Sequence, residues 1–238
     1  MAFASGCGRS SPSPVRLSVR ASLFFTIALL SAGIARAQTL AENETTCVSP
    51  DFTAVTPDIR ISACSAVIQS GQVTGQNLAT AYLWRGIAYN EKNDFDSGIK
   101  DFNAALGLNP NFAGPYYDLG WAYDAKGDYD TAIKDCSKAI QLSPSADAYT
   151  SRAGAEFAKG DYAAAIQDET AAITLGPSDA AGVYGTRCFL RAITGDLKNA
   201  LADCNQAFAL LPGNPGATQY PRLHLFEDEQ RRRGDRRL

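Results

Sequence analysis

Tyr116–Leu142 reads YYDLGWAYDAKGDYDTAIKDCSKAIQL. Apolar side chains recur at helical spacing on both sides of Gly127-Asp128. Glycine takes the left-handed backbone that closes a helix, and an aspartate caps the free amides of the next one. The stretch is therefore predicted to be two amphipathic helices joined by a tight turn. Pro144 stops the second of them.

The same frame extends in both directions. Pro110, Pro144, Pro177 and Pro212 stand 34, 33 and 35 residues apart. Asp94, Asp128, Asp161 and Asp196 keep those intervals, as do Ala105, Ala139, Ala172 and Ala207. Tyr82, Tyr116, Tyr149 and Tyr184 form another set in register. Short side chains recur at Gly86, Gly120, Ala153 and Cys188, and again at Gly98, Ala132, Ala165 and Ala200. Two antiparallel helices approach closely only where side chains are short, so these positions mark the contact between paired helices.

This frame resembles the tetratricopeptide repeat family, with its small residue in the first helix, alanines in the second, aromatics at fixed offsets and a closing proline. The resemblance covers about Asn77 to Pro212. It implies an all-α fold, a right-handed α-solenoid of antiparallel helix pairs whose first helices line a concave groove. The four repeats are placed at 77–111, 112–145, 146–178 and 179–212. A half repeat, one helix within 57–76, precedes them, because Ala63–Gln69 (ACSAVIQ) matches Asp135–Gln141 (DCSKAIQ). Residues 38–56 are expected to be an irregular lead-in. Residues 213–238 are expected to be a charged, partly disordered tail. Gly213, Pro215, Gly216 and Pro221 break any continuous helix there, and Arg231, Arg232, Arg233, Arg236 and Arg237 read as a solvated charge run.

The first 37 residues read as a secretion signal. Arg16 and Arg20 flank the uncharged stretch Ser22–Ile34, and Ala35-Arg36-Ala37 supplies the small-x-small cleavage pattern. Thirteen apolar residues rise only about 20 Å as a helix, short of the roughly 30 Å of a bilayer core. The reading is cleavage after Ala37, no membrane insertion afterwards, and a periplasmic or secreted protein. Loss of the four arginines in residues 1–37 leaves 18 basic against 25 acidic side chains, a net charge of −7. That balance argues against nucleic acid as a partner.

Five cysteines remain in that exported chain: Cys47, Cys64, Cys136, Cys188 and Cys204. A disulfide between Cys47 and Cys64 would staple the lead-in to the half repeat and stabilise it by roughly 3 kcal/mol. Cys188 and Cys204 lie on facing helices of one repeat, where they form a second disulfide or pack as two small apolar thiols. Cys136 faces Gly120 and reads as a buried structural thiol.

Neither a metal, a cofactor nor a catalytic site is expected. No Cys-x-x-Cys pair exists, and the one histidine, His224, stands in the tail, so no nucleophile in the repeats has an imidazole base. Arg85, Arg152 and Arg187 recur in register with Asp101, Asp135, Asp168 and Asp203, which reads as ionic pairing within the array. Glu156 and Arg191 share one register position in neighbouring copies and are expected to pair. The family resemblance assigns ligand contacts to Leu83, Ile87 and Asn90 in the first copy and to Tyr117, Trp121 and Asp124 in the second. In the third and fourth it assigns Thr150, Gly154 and Phe157, then Gly185, Phe189 and Ala192. Only Asn90 and no basic residue stands among them, so a clamp for a peptide carboxylate is not expected. An apolar, aromatic groove for a protein or peptide of the cell envelope is expected, with Trp121 as its anchor. The alternatives are ordinary packing of those aromatics, and a structural solenoid that dimerises through its C-terminal end or serves as an assembly or chaperone subunit.

Overall fold

Asp94, Asp128, Asp161 and Asp196 cap their helices in one way. Each carboxylate accepts from the amide three residues on, at Ser97, Thr131, Ala164 and Asn199. The residue before each cap has positive φ: Asn93 at 60°, Gly127 at 78°, Gly160 at 82° and Gly195 at 86°. Asparagine is among the few side-chain-bearing residues that tolerate this region, so the first turn does without glycine.

These turns organise a computed structural model that describes residues 39–211 and contains helices and no strand among them. The predicted signal segment and the C-terminal tail lie outside the described residues. Helix α1 covers residues 39–47 and α2 Pro57–Ser70. Four helix pairs follow: α3 (Gly75–Glu91) with α4 (Phe95–Leu108), α5 (Ala113–Ala125) with α6 (Tyr129–Leu142), α7 (Ala146–Lys159) with α8 (Tyr162–Leu175), and α9 (Ala180–Ile193) with α10 (Leu197–Leu210). Each helix packs mainly on its neighbours in sequence, as in a solenoid.

The lead-in differs from expectation, because residues 39–47 are helical. Thr45, Thr46, Val48 and Pro50 are poor helix formers, but packing outweighs propensity here. Leu40 and Cys47 bury against Ala63, Cys64, Val67 and Ala81, which gives α2 the helix partner its sequence lacks. A disulfide joins Cys47 to Cys64 with their Cα atoms 4.8 Å apart. The Arg60 guanidinium is fully buried between the rings of Phe52 and Trp84, 4.9 and 4.8 Å from their centroids. Its Nη1 donates to the carbonyls of Cys47 and Ser49, so one side chain ties the loop after α1 to α2 and α3.

One contact between paired helices is filled four ways. In the first pair Phe102 lies over Gly86, where a Cβ would sit 2.5 Å from the ring. In the second, Cys136 Sγ lies over Gly120, and a Cβ there would sit at 2.3 Å. Burial pushes the Cys136 thiol up to about 12, so it stays protonated and inert. In the fourth pair the position is a disulfide, Cys188–Cys204. In the third, the register sets Glu169 opposite Ala153, and this carboxylate is 1% exposed.

The recurring arginines bridge in two directions. Arg85, Arg152 and Arg187 each grip their own Asp101, Asp168 or Asp203 with two hydrogen bonds of 2.6–2.8 Å. Each also donates to a hydroxyl of the preceding repeat, at Ser65, Ser137 and Thr170. The tyrosine three residues earlier faces each guanidinium at 5.5–5.6 Å. The second repeat has Leu119 instead, and burial pushes the opposing Asp135 carboxyl up. On the surface Lys92, Lys126 and Lys159 pair with Asp58, Asp96 and Asp130 of the preceding unit.

Glu156 and Arg191 do not pair. Arg191 turns to Asp203 of its own repeat at 2.6 Å, where a carboxylate already lies in the helix contact. Glu156 stays 3.8 Å from Arg152, and one of its carboxylate oxygens has no hydrogen-bond partner. Burial raises Glu156 to about 7 and Glu169 to about 8.

A carboxyl raised by folding holds its proton more tightly folded than unfolded. Its contribution is therefore full below the unfolded value of about 4.5 and is lost as pH rises through about 8. Glu169→Gln is thus expected to be neutral or mildly destabilising at pH 5 and stabilising by about 1–3 kcal/mol at pH 8. Melting of both proteins at the two pH values reads this. A variant that follows the parent at both would show that Glu169 does not titrate in this window.

Candidate functional site

The first-helix residues that the repeat frame assigns to the groove separate on their burial. Leu83 is 8% exposed and packs with Phe102 and Leu119. Asn90 is 4% exposed, and its Nδ2 donates to the carbonyl of Asp118 in the next repeat. Neither is available to a partner, which corrects their assignment: the following helix pair covers the seam in which they lie. Gly185 is likewise buried. Ile87 is half-buried on the same core as Leu83, and Asp124 is half-buried with its carboxyl pushed up by burial.

The aromatics stay accessible, in two patches. Trp121 is 41% exposed and meets Phe95 edge-on at 5.6 Å. Phe157 is 40% exposed and packs on the half-buried Phe189 at 5.9 Å and on Tyr162 at 5.8 Å. Phe95 and Tyr162 open second helices, so the first-helix positions assigned to the groove did not include them. Each patch offers a flat apolar surface already held by a ring behind it, so little side-chain freedom is lost on binding.

Beside these patches the face is mixed, polar and apolar, rather than continuously apolar. A cavity of about 370 Å³ opens between α5, α7 and α9, lined by Tyr117, Asp147, Thr150, Ser151, Asp179 and Thr186 among others. Burial raises the Tyr117 phenol, whose hydroxyl pairs with Ser151. Asp118 beside it is pushed up to about 7 by burial. Of the lining residues the repeat frame named Tyr117 and Thr150. Asp147, Ser151, Asp179 and Thr186 were missed, although Asp147 and Asp179 stand at first-helix starts that the frame had located. A larger cavity of about 600 Å³ lies against α1, bordered by Val48, Pro50, Val67, Val73 and Ala81.

Among the described residues no cluster of three or more metal-ligating side chains exists, and no helix is long and apolar enough to cross a membrane. Two disulfides are typical of a chain that matures in an oxidising compartment.

Two family models described as tetratricopeptide repeat match residues 79–112 and 113–145. Residues 79–145, the first two helix pairs, are tetratricopeptide repeats. Solved structures share this tetratricopeptide fold. MamA of Desulfovibrio magneticus RS-1 gives a TM-score of 0.62 at 17% identity, over 76% of this chain and 97% of that one. A MamA crystal structure at 26% identity gives 0.56 over 61% and 84%. The thermophilic tetratricopeptide protein TTC0263 of Thermus thermophilus gives 0.54 at 18% identity over 69% and 89%. No curated protein sequence gives a significant match.

Proposed function

We propose that this tetratricopeptide protein is an exported, non-catalytic scaffold that holds a protein or peptide of the cell envelope on its first-helix face. The observation that carries this reading is the pair of exposed, ring-backed aromatic patches at Trp121 and Phe157. Solenoids of helix pairs use such faces as extended binding surfaces, and tryptophan is the residue most enriched at binding hot spots. Export is supported by the signal-like N-terminus and the disulfides. The acidic balance speaks for a protein rather than a nucleic-acid partner.

Trp121→Ala is expected to lower recovery of the cognate envelope partner at least tenfold in a pull-down, with the helical circular-dichroism signal unchanged. Equal recovery by parent and variant would remove this face as the binding site.

A second reading has an observation of its own. Leu201, Leu210 and Leu211 are exposed on the last helix and its end, and a terminal helix with an open apolar face favours self-association. Light scattering with and without residues 213–238 decides it, since a monomer in both cases removes the idea.

A further inference from the structure

We infer that the partner segment presents a lysine or arginine beside an apolar side chain, and that the row Asp118, Trp121 and Asp124 on α5 receives it. The inference rests on the first-helix face being the partner-binding face and names what that face selects.

Helical spacing sets the row. Residues three apart are neighbours on a helix surface, so the Trp121 indole stands between two carboxylates. Phe95 meets the ring at 5.6 Å and leaves it 41% exposed. Asp118 and Asp124 are half-buried, and among the described residues neither carboxylate has an ion pair or a hydrogen bond. Burial pushes both carboxyls up with no cation near enough to oppose it.

One side of the row is open. Gly154 takes the register position of Trp121 on α7, which packs on α5. This glycine is exposed, and a Cβ there would meet nothing within 4 Å. Phe157, in register with Asp124, packs on Phe189 of α9. The ground between the two aromatic patches therefore has an indole on one helix and a bare turn on the other. A long basic side chain can lay its stem over such a turn while its head reaches a carboxylate. Indole is also the ring that attracts a cation most strongly over its face.

Charge decides the sign of the occupant. Helices α3, α5, α7 and α9 carry five basic residues, Arg85, Arg152, Lys159, Arg187 and Arg191, and each is already ion-paired. None of the five lies on α5. Residues 39–211 together carry 21 acidic and 12 basic side chains, a net charge of −9. A basic segment gains from that field and from the two unpaired carboxylates, whereas an acidic one is repelled by both. A small free cation would leave Trp121 and Phe157 uncovered, so apolar neighbours belong to the ligand.

The test is selection from a displayed library of short random peptides on the purified chain from residue 38 onward. Peptides held by the parent are expected to be enriched at least tenfold in Lys or Arg adjacent to Leu, Phe or Trp. Asp118→Asn with Asp124→Asn removes both charges at nearly constant shape, and its melting by circular dichroism should match or exceed the parent's. This variant is expected to lose the basic enrichment and keep the apolar one. Glu42→Gln with Glu44→Gln, the same charge change on the exposed face of α1, should leave both enrichments within twofold. Peptides that are apolar without Lys or Arg, or that are acidic, overturn the inference and leave the face itself standing. Equal loss in the two double variants leaves only diffuse charge attraction and overturns the row as the site. Selection of no peptide overturns it as well. The Trp121→Ala pull-down is read separately, so failure of the face and failure of its basic selectivity are distinguishable.

Discussion

Asp203→Ala is expected to melt the fourth repeat well below the temperature at which the rest of the array unfolds. The Asp203 carboxylate takes two hydrogen bonds from Arg187 and a third, at 2.6 Å, from Arg191. Its removal leaves two largely buried guanidiniums without their anion, a loss on the order of 3–5 kcal/mol. In a solenoid each unit is held mainly by its neighbours, so the damage concentrates where it is made, at the end of the array. Hydrogen exchange should show α9 and α10 opening while α3 to α8 stay protected. Replacing Arg187 by Leu in the same variant, as Leu119 stands in the second repeat, should recover much of the loss. Unchanged exchange in α9 and α10 would mean that the triad contributes nothing net.

The second large effect is expected from Cys47→Ser with Cys64→Ser. The disulfide closes a short loop, and its loss costs about 2–4 kcal/mol by the chain-entropy argument. The Cys47 carbonyl also accepts from Arg60, so freeing α1 strips a hydrogen bond from a fully buried cation. Limited proteolysis should then cut within residues 39–56 at a rate the parent does not approach, while repeats two to four resist. Equal cutting of parent and variant would show that packing of Leu40 and Arg60 suffices to hold α1.

Much of this architecture was legible because it is local. A glycine or asparagine at positive φ, an aspartate cap and a closing proline act within a few residues, so their spacing displays the helix pairs directly. The short residues were equally readable, since Gly86 and Gly120 have Phe102 and Cys136 pressed against them. Helix α1 was not readable, because Thr45 and Thr46 favour extended chain and only burial of Leu40 and Cys47 tips the balance. Burial of Leu83 and Asn90 depends on how far the next helix pair advances over them, which periodicity within one repeat does not fix. Arg191 was assigned to Glu156 by register, whereas distance favours Asp203. The polar cavity was the hardest to see. Its walls come from three helices about thirty residues apart, and most of its residues carry no mark of the repeat.

The arginine bridges bear on the mechanics of the array. The junctions before the first and third repeats have both an arginine-to-hydroxyl strut and a lysine–aspartate tie at the rim. The junction before the fourth has the strut, at Arg187 and Thr170. Between the first and second repeats Leu119 removes the strut, and the exposed pair Lys126–Asp96 and the Asn90–Asp118 hydrogen bond lie over an apolar seam. An apolar seam slides more readily than one pinned by a directional arginine–hydroxyl hydrogen bond. Bending that opens or narrows the inner face is therefore expected to concentrate between α4 and α5, the helix that carries Trp121.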